Sequence, residues 1–209
     1  MSSLPAFAQF EEDAYEPDSI YAIRNAIKYD PVQIIVGDFS FYYERFLAPG
    51  WGAEAGVGFT RRNYAAGWND YSLDNLARNV DIGTGYSYSL SLRKYLRAAE
   101  ELGGFYTALG YSERKYYTTY AVVDTAGELT GDQFDDTRLH RTVSLAVGYQ
   151  ALGITSNLFV DFFIGAAVRF REFDTVVATD IFDASTFSVV PSNSTQWGIL
   201  AGLKFGFGF

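Results

Sequence analysis

Apolar and polar residues alternate in seven segments of the chain, with the period of two that is typical of β-strands with two unlike faces. One face of each segment carries aliphatic and aromatic residues. The other face carries mostly Gly, Ala and Ser, with an isolated charge in most segments. The segments are residues 39–44, 51–62, 85–96, 105–114, 141–151, 160–171 and 197–209. This pattern predicts an all-β protein.

The composition of the second face distinguishes a soluble β-sandwich from a narrow closed barrel. A soluble sandwich also alternates, but its polar face meets water and usually carries many Lys, Glu and Thr residues. A face of small residues with a few long ones instead suits the crowded inside of a narrow closed barrel. The apolar face of such a barrel meets lipid, and tilted strands of about nine to eleven residues are long enough to cross the hydrocarbon layer. We therefore predict a closed, antiparallel, up-and-down transmembrane β-barrel.

The connections between these segments alternate between short and long. Residues 48–50, 98–102 and 154–157 are short, whereas residues 65–84, 124–136 and 174–195 are long. Outer-membrane barrels have short periplasmic turns, long extracellular loops and, in bacteria, an even number of strands. An eighth strand is therefore expected within residues 23–36, where Val32, Ile34 and Val36 alternate with Gln33 and Ile35, followed by a tight turn at Gly37-Asp38.

Composition excludes several classes of function and structure. The formal net charge of -9 supplies no basic stripe for the phosphates of a nucleic acid. The absence of cysteine excludes thiol catalysis, disulfides and thiolate metal sites. No run of 18 or more apolar residues is present that would predict a transmembrane helix, as is expected when strands alternate.

The first residues predict secretion. Ala6-Phe7-Ala8 before Gln9 fits the small-x-small pattern of a signal-peptidase site, so residues 1–8 are interpreted as a remnant of a secretion signal, the alternative being an ordinary disordered N-terminus. Residues 9–22 carry an acidic run and are expected to form a flexible periplasmic leader or a tether to a periplasmic partner. Residues 23–209 are expected to form the barrel.

Three segments resemble a known family. They are Asn25-Ala26-Ile27-Lys28, the stretch from Val36 to Arg45, and Gly202-Leu203-Lys204-Phe205-Gly206-Phe207-Gly208-Phe209. The chain resembles small outer-membrane barrels of the outer-membrane-protein-A transmembrane-domain type, and more closely the uncharacterised small barrels of Bacteroidota. The resemblance implies eight strands and a Gram-negative outer membrane with both termini periplasmic. It implies outer-membrane lipid and lipopolysaccharide as surroundings, and a barrel-assembly machinery that reads Phe205, Phe207 and Phe209.

The parity of the strands places charged residues inside the predicted barrel. Because isolated buried charges are costly, these residues are expected to pair and to fill the lumen. We hypothesise that Glu44, Glu54 and Asp161 pair with Arg93, Arg114 and Lys204; a narrow gated channel is the alternative. The full set of inward charges is Glu44, Glu54, Arg62, Arg93, Arg114, Asp161, Arg169, Arg171 and Lys204.

Enzymatic and metal sites are weakly indicated. His140 is the only histidine, and Ser144 shares its parity, but a residue four positions away lies roughly 13 Å along a strand. The acidic residues 124–136 lack the spacing of a calcium loop. We therefore predict no catalytic residue, no cofactor and no metal. Ile181, Phe182 and Phe187 are candidates for a contact surface, or they extend the flanking strands.

These observations predict a structural or interaction component of the cell envelope. It acts alone or as an accessory subunit of a larger outer-membrane protein complex. A narrow channel and a lipid A-modifying enzyme are the alternative functions.

Overall fold

A computed structural model describes residues 23–61, 77–96, 102–123, 129–152, 157–178 and 187–209. Almost all of them belong to strands. The elements are β1 (Asn25–Tyr29), a 3₁₀ helix η1 (Pro31–Val36), β2 (Asp38–Ala48), β3 (Trp51–Thr60), β4 (Ala77–Ile82), β5 (Gly85–Tyr95), β6 (Gly104–Val123), β7 (Leu129–Leu152), β8 (Leu158–Ala178) and β9 (Phe187–Gly208). None of the described residues form a helix that is both long and apolar enough to cross a membrane.

The strands form one antiparallel sheet that closes on itself. Hydrogen-bonded neighbours follow the order β1, β2, β3, β5, β6, β7, β8, β9 and back to β1, a ring of eight strands. Asn25 and Phe209 close it by exchanging backbone hydrogen bonds of 3.0 and 2.9 Å. The short strand β4 pairs with β6 beyond the end of β5, so β4 and β5 together occupy one position in the ring. The predicted all-β fold and ring of eight strands are confirmed.

The ring is strongly staggered. Following paired residues from Ala26 of β1 around the sheet leads to Gly198 of β9, whereas Ala26 itself pairs with Gly208, ten residues further along. With strands about 4.8 Å apart and a rise of about 3.3 Å per residue, this stagger tilts the strands by roughly 40°. Eight strands at this tilt leave an interior that side chains fill.

The two faces of the ring are those that the alternation predicts, and their polarity is the reverse of a water-soluble domain. Each strand of the ring exposes large apolar side chains on its outer face, represented by Ile27, Phe41, Val57, Leu90, Leu109, Leu145, Ile164 and Ile199. Inside, more polar and charged side chains are buried than apolar ones. The small apolar cluster that exists, around Tyr95, Leu102, Tyr106 and Phe159, lies near the end that holds the turn at residues 48–50.

The expected first strand is only partly correct. The chain pairs as a strand from Asn25 to Tyr29 and then forms η1 instead of continuing the alternation through Val36. Asp30 caps η1 by accepting the amide hydrogen of Val32 at 3.0 Å, Pro31 supplies a helical φ without needing a donor, and Gly37 ends the helix in the left-handed region with φ 71°. Local capping therefore overrides an apolar alternation that is too short to hold a strand.

Four strands are longer than the alternation predicts. β6 continues to Val123, β7 begins at Leu129, β8 continues to Ala178 and β9 begins at Phe187. Parts of the expected loops 124–136 and 174–195 are therefore paired strand, as are residues 77–82 of the expected loop 65–84. Backbone pairing needs no apolar outer face, so the alternation ends before the strands do. We call the end to which β6–β9 extend the upper rim.

Two inward glycines provide a test of how tightly the ring is packed. A Cβ on Gly165 would overlap the backbone carbonyl oxygen of Leu145 and crowd Ala146, whereas a Cβ on Gly198 meets nothing within 4 Å. We expect Gly165→Ala to lower the free energy of unfolding by about 1–3 kcal/mol and Gly198→Ala to change it by less than about 0.5 kcal/mol. Urea unfolding of the refolded chain measures both; equal losses would contradict the close approach of β7 and β8.

Candidate functional site

Six charged side chains meet in the lower half of the ring. We call them the central charge cluster: Lys28, Glu44, Glu54, Arg93, Asp161 and Lys204. Each is at most 6% exposed. They come from β1, β2, β3, β5, β8 and β9, so the contacts cross the interior rather than follow one strand.

Arg93 and Lys28 hold the cluster together. The guanidinium of Arg93 lies 2.7 Å from Glu54 and 2.7 Å from Asp161. The ammonium of Lys28 contacts Glu44 and lies 3.1 Å from Glu54 and 2.9 Å from Asp161. Lys204 completes the set at 2.5 Å from Glu54. Each cation therefore shares a carboxylate with another cation.

Neutral polar and aromatic groups enclose these charges. Tyr95 donates its hydroxyl to Glu44 at 2.5 Å, and Tyr106 donates to Asp161 at 2.6 Å. The ammonium of Lys204 lies 3.7 Å from the ring centroid of Tyr42, and Arg93 lies 4.5 Å from that of Tyr106. The carboxylates accept hydrogen bonds and the cations face aromatic rings, so the shell stabilises both signs of charge.

The central charge cluster is neutral as a whole, with three cations and three carboxylates. Removing charges from water costs several kcal/mol per ion, and the cost is offset only when each charge is paired and hydrogen-bonded. The balance of three against three meets that condition. Any single substitution that removes one of these charges leaves one unbalanced charge of the opposite sign in the interior.

A second group of contacts crosses the ring above the central charge cluster. Arg114 contacts Asp38 at 2.5 Å and donates to the side-chain oxygen of Gln33 in η1 at 2.7 Å. Tyr116 donates to the backbone carbonyl of Val36 at 2.9 Å. These bonds draw η1 toward β6, on the opposite side of the ring. The expected pairing of Arg114 with Glu44, Glu54 or Asp161 is wrong, because Asp38 stands at its level.

The basic side chains on the inner face toward the upper rim form what we call the upper basic patch: Arg114, Arg138, His140, Arg169 and Arg171. His140 pairs in register with Arg114 on one side and Arg171 on the other, and Thr142 pairs with Arg169 one step below. Arg138 contacts Asp136 at 2.5 Å, and Arg171 donates to Gln196 at 3.2 Å. The ring of His140 lies 5.4 Å from that of Tyr116.

Other sequence-predicted residues are placed as follows. Arg62, Ile181 and Phe182 lie outside the described residues. Phe187 is the first residue of β9 and pairs with Ala178, so it belongs to a strand. Phe205, Phe207 and Phe209 are about half exposed. Phe205 and Phe207 lie on the stretch of β9 that pairs with β1, and Phe209 follows the end of β9 and bonds to Asn25.

Sequence reasoning missed several residues of the site. Lys28 is the most important, and its alternation with Ile27 and Tyr29 was a usable signal, since Ile27 faces outward and Lys28 therefore faces inward. Asp38 was assigned to a turn, whereas it begins β2. Tyr95, Tyr106 and Gln150 carry no charge and gave no signal of their own. Among the described residues, no group of three or more His, Cys, Asp or Glu side chains could hold a metal ion.

Comparison with protein-family models, with curated proteins and with solved structures gave no match to this chain. Its function is therefore argued from the geometry of the ring and the chemistry of its two faces.

Charge balance in the interior can be tested at Lys28. Lys28→Met leaves three carboxylates against two cations, and we expect a loss of about 3–5 kcal/mol in the free energy of unfolding. Lys94→Met is the matched control, because Lys94 lies outside the ring, 4.6 Å from the ring centroid of Trp51, and should cost less than about 1 kcal/mol. Urea unfolding provides the measurement.

A compensating variant makes the test specific. In Lys28→Met with Glu44→Gln the cluster again has equal numbers of charges, so the loss should be smaller than the sum of the two single losses. Strictly additive losses would show that charge balance does not control the stability of the interior.

Proposed function

We propose that this chain is an integral outer-membrane β-barrel whose interior is closed by side chains, and that it serves as a structural or interaction component of the bacterial envelope. The observation that carries the proposal is the inverted polarity of the closed ring, with apolar side chains outside and paired charges inside. A contiguous apolar surface of this extent would drive a protein out of water unless lipid or another protein covers it.

The apolar surface has the height that a bilayer needs. On β7 the outward residues from Val143 to Tyr149 are apolar and exposed. The nine residues from Thr142 to Gln150, at about 3.3 Å each and a tilt of roughly 40°, rise about 23 Å, close to the apolar band of about 25 Å in outer-membrane barrels.

Charged residues on the outer face mark the edges of this apolar surface. Toward the upper rim, Arg141 lies 3.1 Å from Glu113 and 2.6 Å from Glu172, which joins β6, β7 and β8 by outward ion pairs. At the other end, Lys94 lies over Trp51. Aromatic and charged residues at both edges of an apolar band are the pattern of an interfacial boundary.

The interior favours a closed barrel over a channel. The central charge cluster links six strands, and the contacts of η1 with β6 cross the ring above it. The space between these two layers is a cavity of about 90 Å³, enough for a few water molecules. It is lined by Ser89, Ser112, Ser144 and the aromatic and charged residues around them.

Lipid contact can be measured at Trp197, which is 81% exposed on the outer face. The chain has three tryptophans, so Trp51→Phe with Trp68→Phe leaves Trp197 as the only indole. After insertion into vesicles, we expect brominated acyl chains to quench its fluorescence strongly and aqueous acrylamide to quench it weakly. The urea-unfolded chain mixed with the same vesicles is the control. Monomeric solubility without detergent, with Trp197 open to acrylamide, would overturn the proposal.

Closure of the lumen predicts no steady current through the wild-type chain in planar bilayers. Arg93→Ala with Glu54→Ala removes one charge of each sign from the central charge cluster, so we expect transient openings from this variant. Arg141→Ala with Glu113→Ala is the matched control, because it removes an ion pair from the outer face. We expect no current through this variant. A steady wild-type conductance would instead favour the channel function.

A further inference from the structure

An apolar groove of about 600 Å³ crosses the outer face of the ring from β2 to β7. It is deep over β3, because Ala53 and Ala55 are small and each pairs in register with a larger side chain on both sides. These two rows are Tyr43–Ala55–Leu90 and Arg45–Ala53–Leu92. The volume lies within the range of roughly 300–1,000 Å³ that is typical of ligand pockets.

The length of the groove matches an acyl chain. From Leu47 on β2 to Val143 on β7 it spans four strand spacings in the order β2, β3, β5, β6, β7. At about 4.8 Å per spacing this is about 19 Å, comparable with the depth of one leaflet, which is about 15 Å of hydrocarbon.

Two basic side chains flank the lower end of the groove. Arg45 is exposed on the outer face of β2 and lines the groove. Lys94 lies over the ring of Trp51, which follows Ala53 on the outer face toward the turn at residues 48–50. Among the described residues, none forms an ion pair or hydrogen bond with the side chain of Arg45. The outward side chains of β2, β3 and β5 include no carboxylate in their described ranges.

A phosphate group fits between these two cations. A charged side chain on the lipid face is costly unless it reaches water or an anion at the edge of the hydrocarbon layer. The Cα atoms of Arg45 and Lys94 are two strand spacings apart and offset by two residues, a distance of about 12 Å that two long side chains can close around one phosphate. The planar fork of a guanidinium matches phosphate oxygens.

We propose that the groove is a binding site for an anionic phospholipid. Its acyl chain lies on Ala53 and Ala55, and its headgroup phosphate lies between Arg45 and Lys94. A zwitterionic phospholipid also carries a phosphate, but its ammonium group would face the same two cations, so an anionic headgroup binds better. This site rests on the proposed function, because only an inserted ring brings its outer face to lipid.

Trp51 is a built-in reporter of the site. Trp68→Phe with Trp197→Phe leaves Trp51 as the only indole, and the variant that retains only Trp197 is the reference on another part of the outer face. Each full-length chain is inserted into phosphatidylcholine vesicles that contain increasing fractions of brominated phosphatidylglycerol or brominated phosphatidylcholine. We expect half-maximal quenching of Trp51 at an about fivefold lower fraction of the brominated phosphatidylglycerol. Trp197 should be quenched equally by the two lipids.

Two variants in the background that retains Trp51 test the two parts of the site. Arg45→Gln removes a phosphate ligand, and Ala55→Phe fills the groove; we expect each to bring the two quenching curves together. Arg141→Gln and Ala166→Phe are the matched controls, because both residues lie on the outer face away from the groove, and the fivefold preference should persist in them.

The outcomes separate this site from the function on which it rests. Equal quenching of Trp51 by both lipids, with Trp197 also quenched, overturns the site and leaves the proposed function standing. If neither lipid quenches either tryptophan, the proposed function fails and the site with it. A preference that survives Ala55→Phe reflects attraction to surface charge without a groove, and that result also contradicts the site.

Discussion

The narrowness of the ring is the constraint on which the rest of the structure depends. Eight strands that return to their start with a stagger of ten residues enclose a space that side chains fill. Every inward position must then be small or must form specific contacts with other inward groups. The glycines, alanines and serines of the inner face meet the first condition. The charged residues of the central charge cluster meet the second, because their side chains contact one another across the ring.

Net charge follows from the same constraint. Bulk water does not surround the groups of the lower interior, so their charges have to cancel among themselves, and the three cations and three carboxylates of the central charge cluster do so. Tyrosine hydroxyls and aromatic faces supply the contacts that a hydration shell would otherwise give. Such a cluster tolerates coordinated substitution better than the loss of one member.

How much of this fold the sequence predicts depends on whether alternation, local capping or the register of the whole ring determines the part in question. Alternation identifies seven strands and their faces because a two-sided strand has a period of two. It places Glu44, Glu54, Arg93, Asp161 and Lys204 inside, and the structure brings these five together with Lys28. It fails at residues 31–36, where the Asp30 cap, Pro31 and Gly37 specify a 3₁₀ helix; those three residues were signals for a helix boundary in the sequence itself. It also fails to pair Arg114 with Asp38, because residues far apart in sequence meet only through the register of the whole ring.

The 3₁₀ helix changes the contacts inside the ring, compared with those of the strand that was expected there. In the register of the ring, residues 31–36 occupy the position where a strand would pair with β9 above Phe205. As a helix of about 2 Å rise per residue, the segment is shorter than a strand, and it offers Gln33 and the carbonyl of Val36 to Arg114 and Tyr116 on the far wall. That layer of polar contacts lies above the central charge cluster. Replacing part of one predicted strand with a capped helix therefore gives the ring a second layer of contacts across its interior, above the central charge cluster.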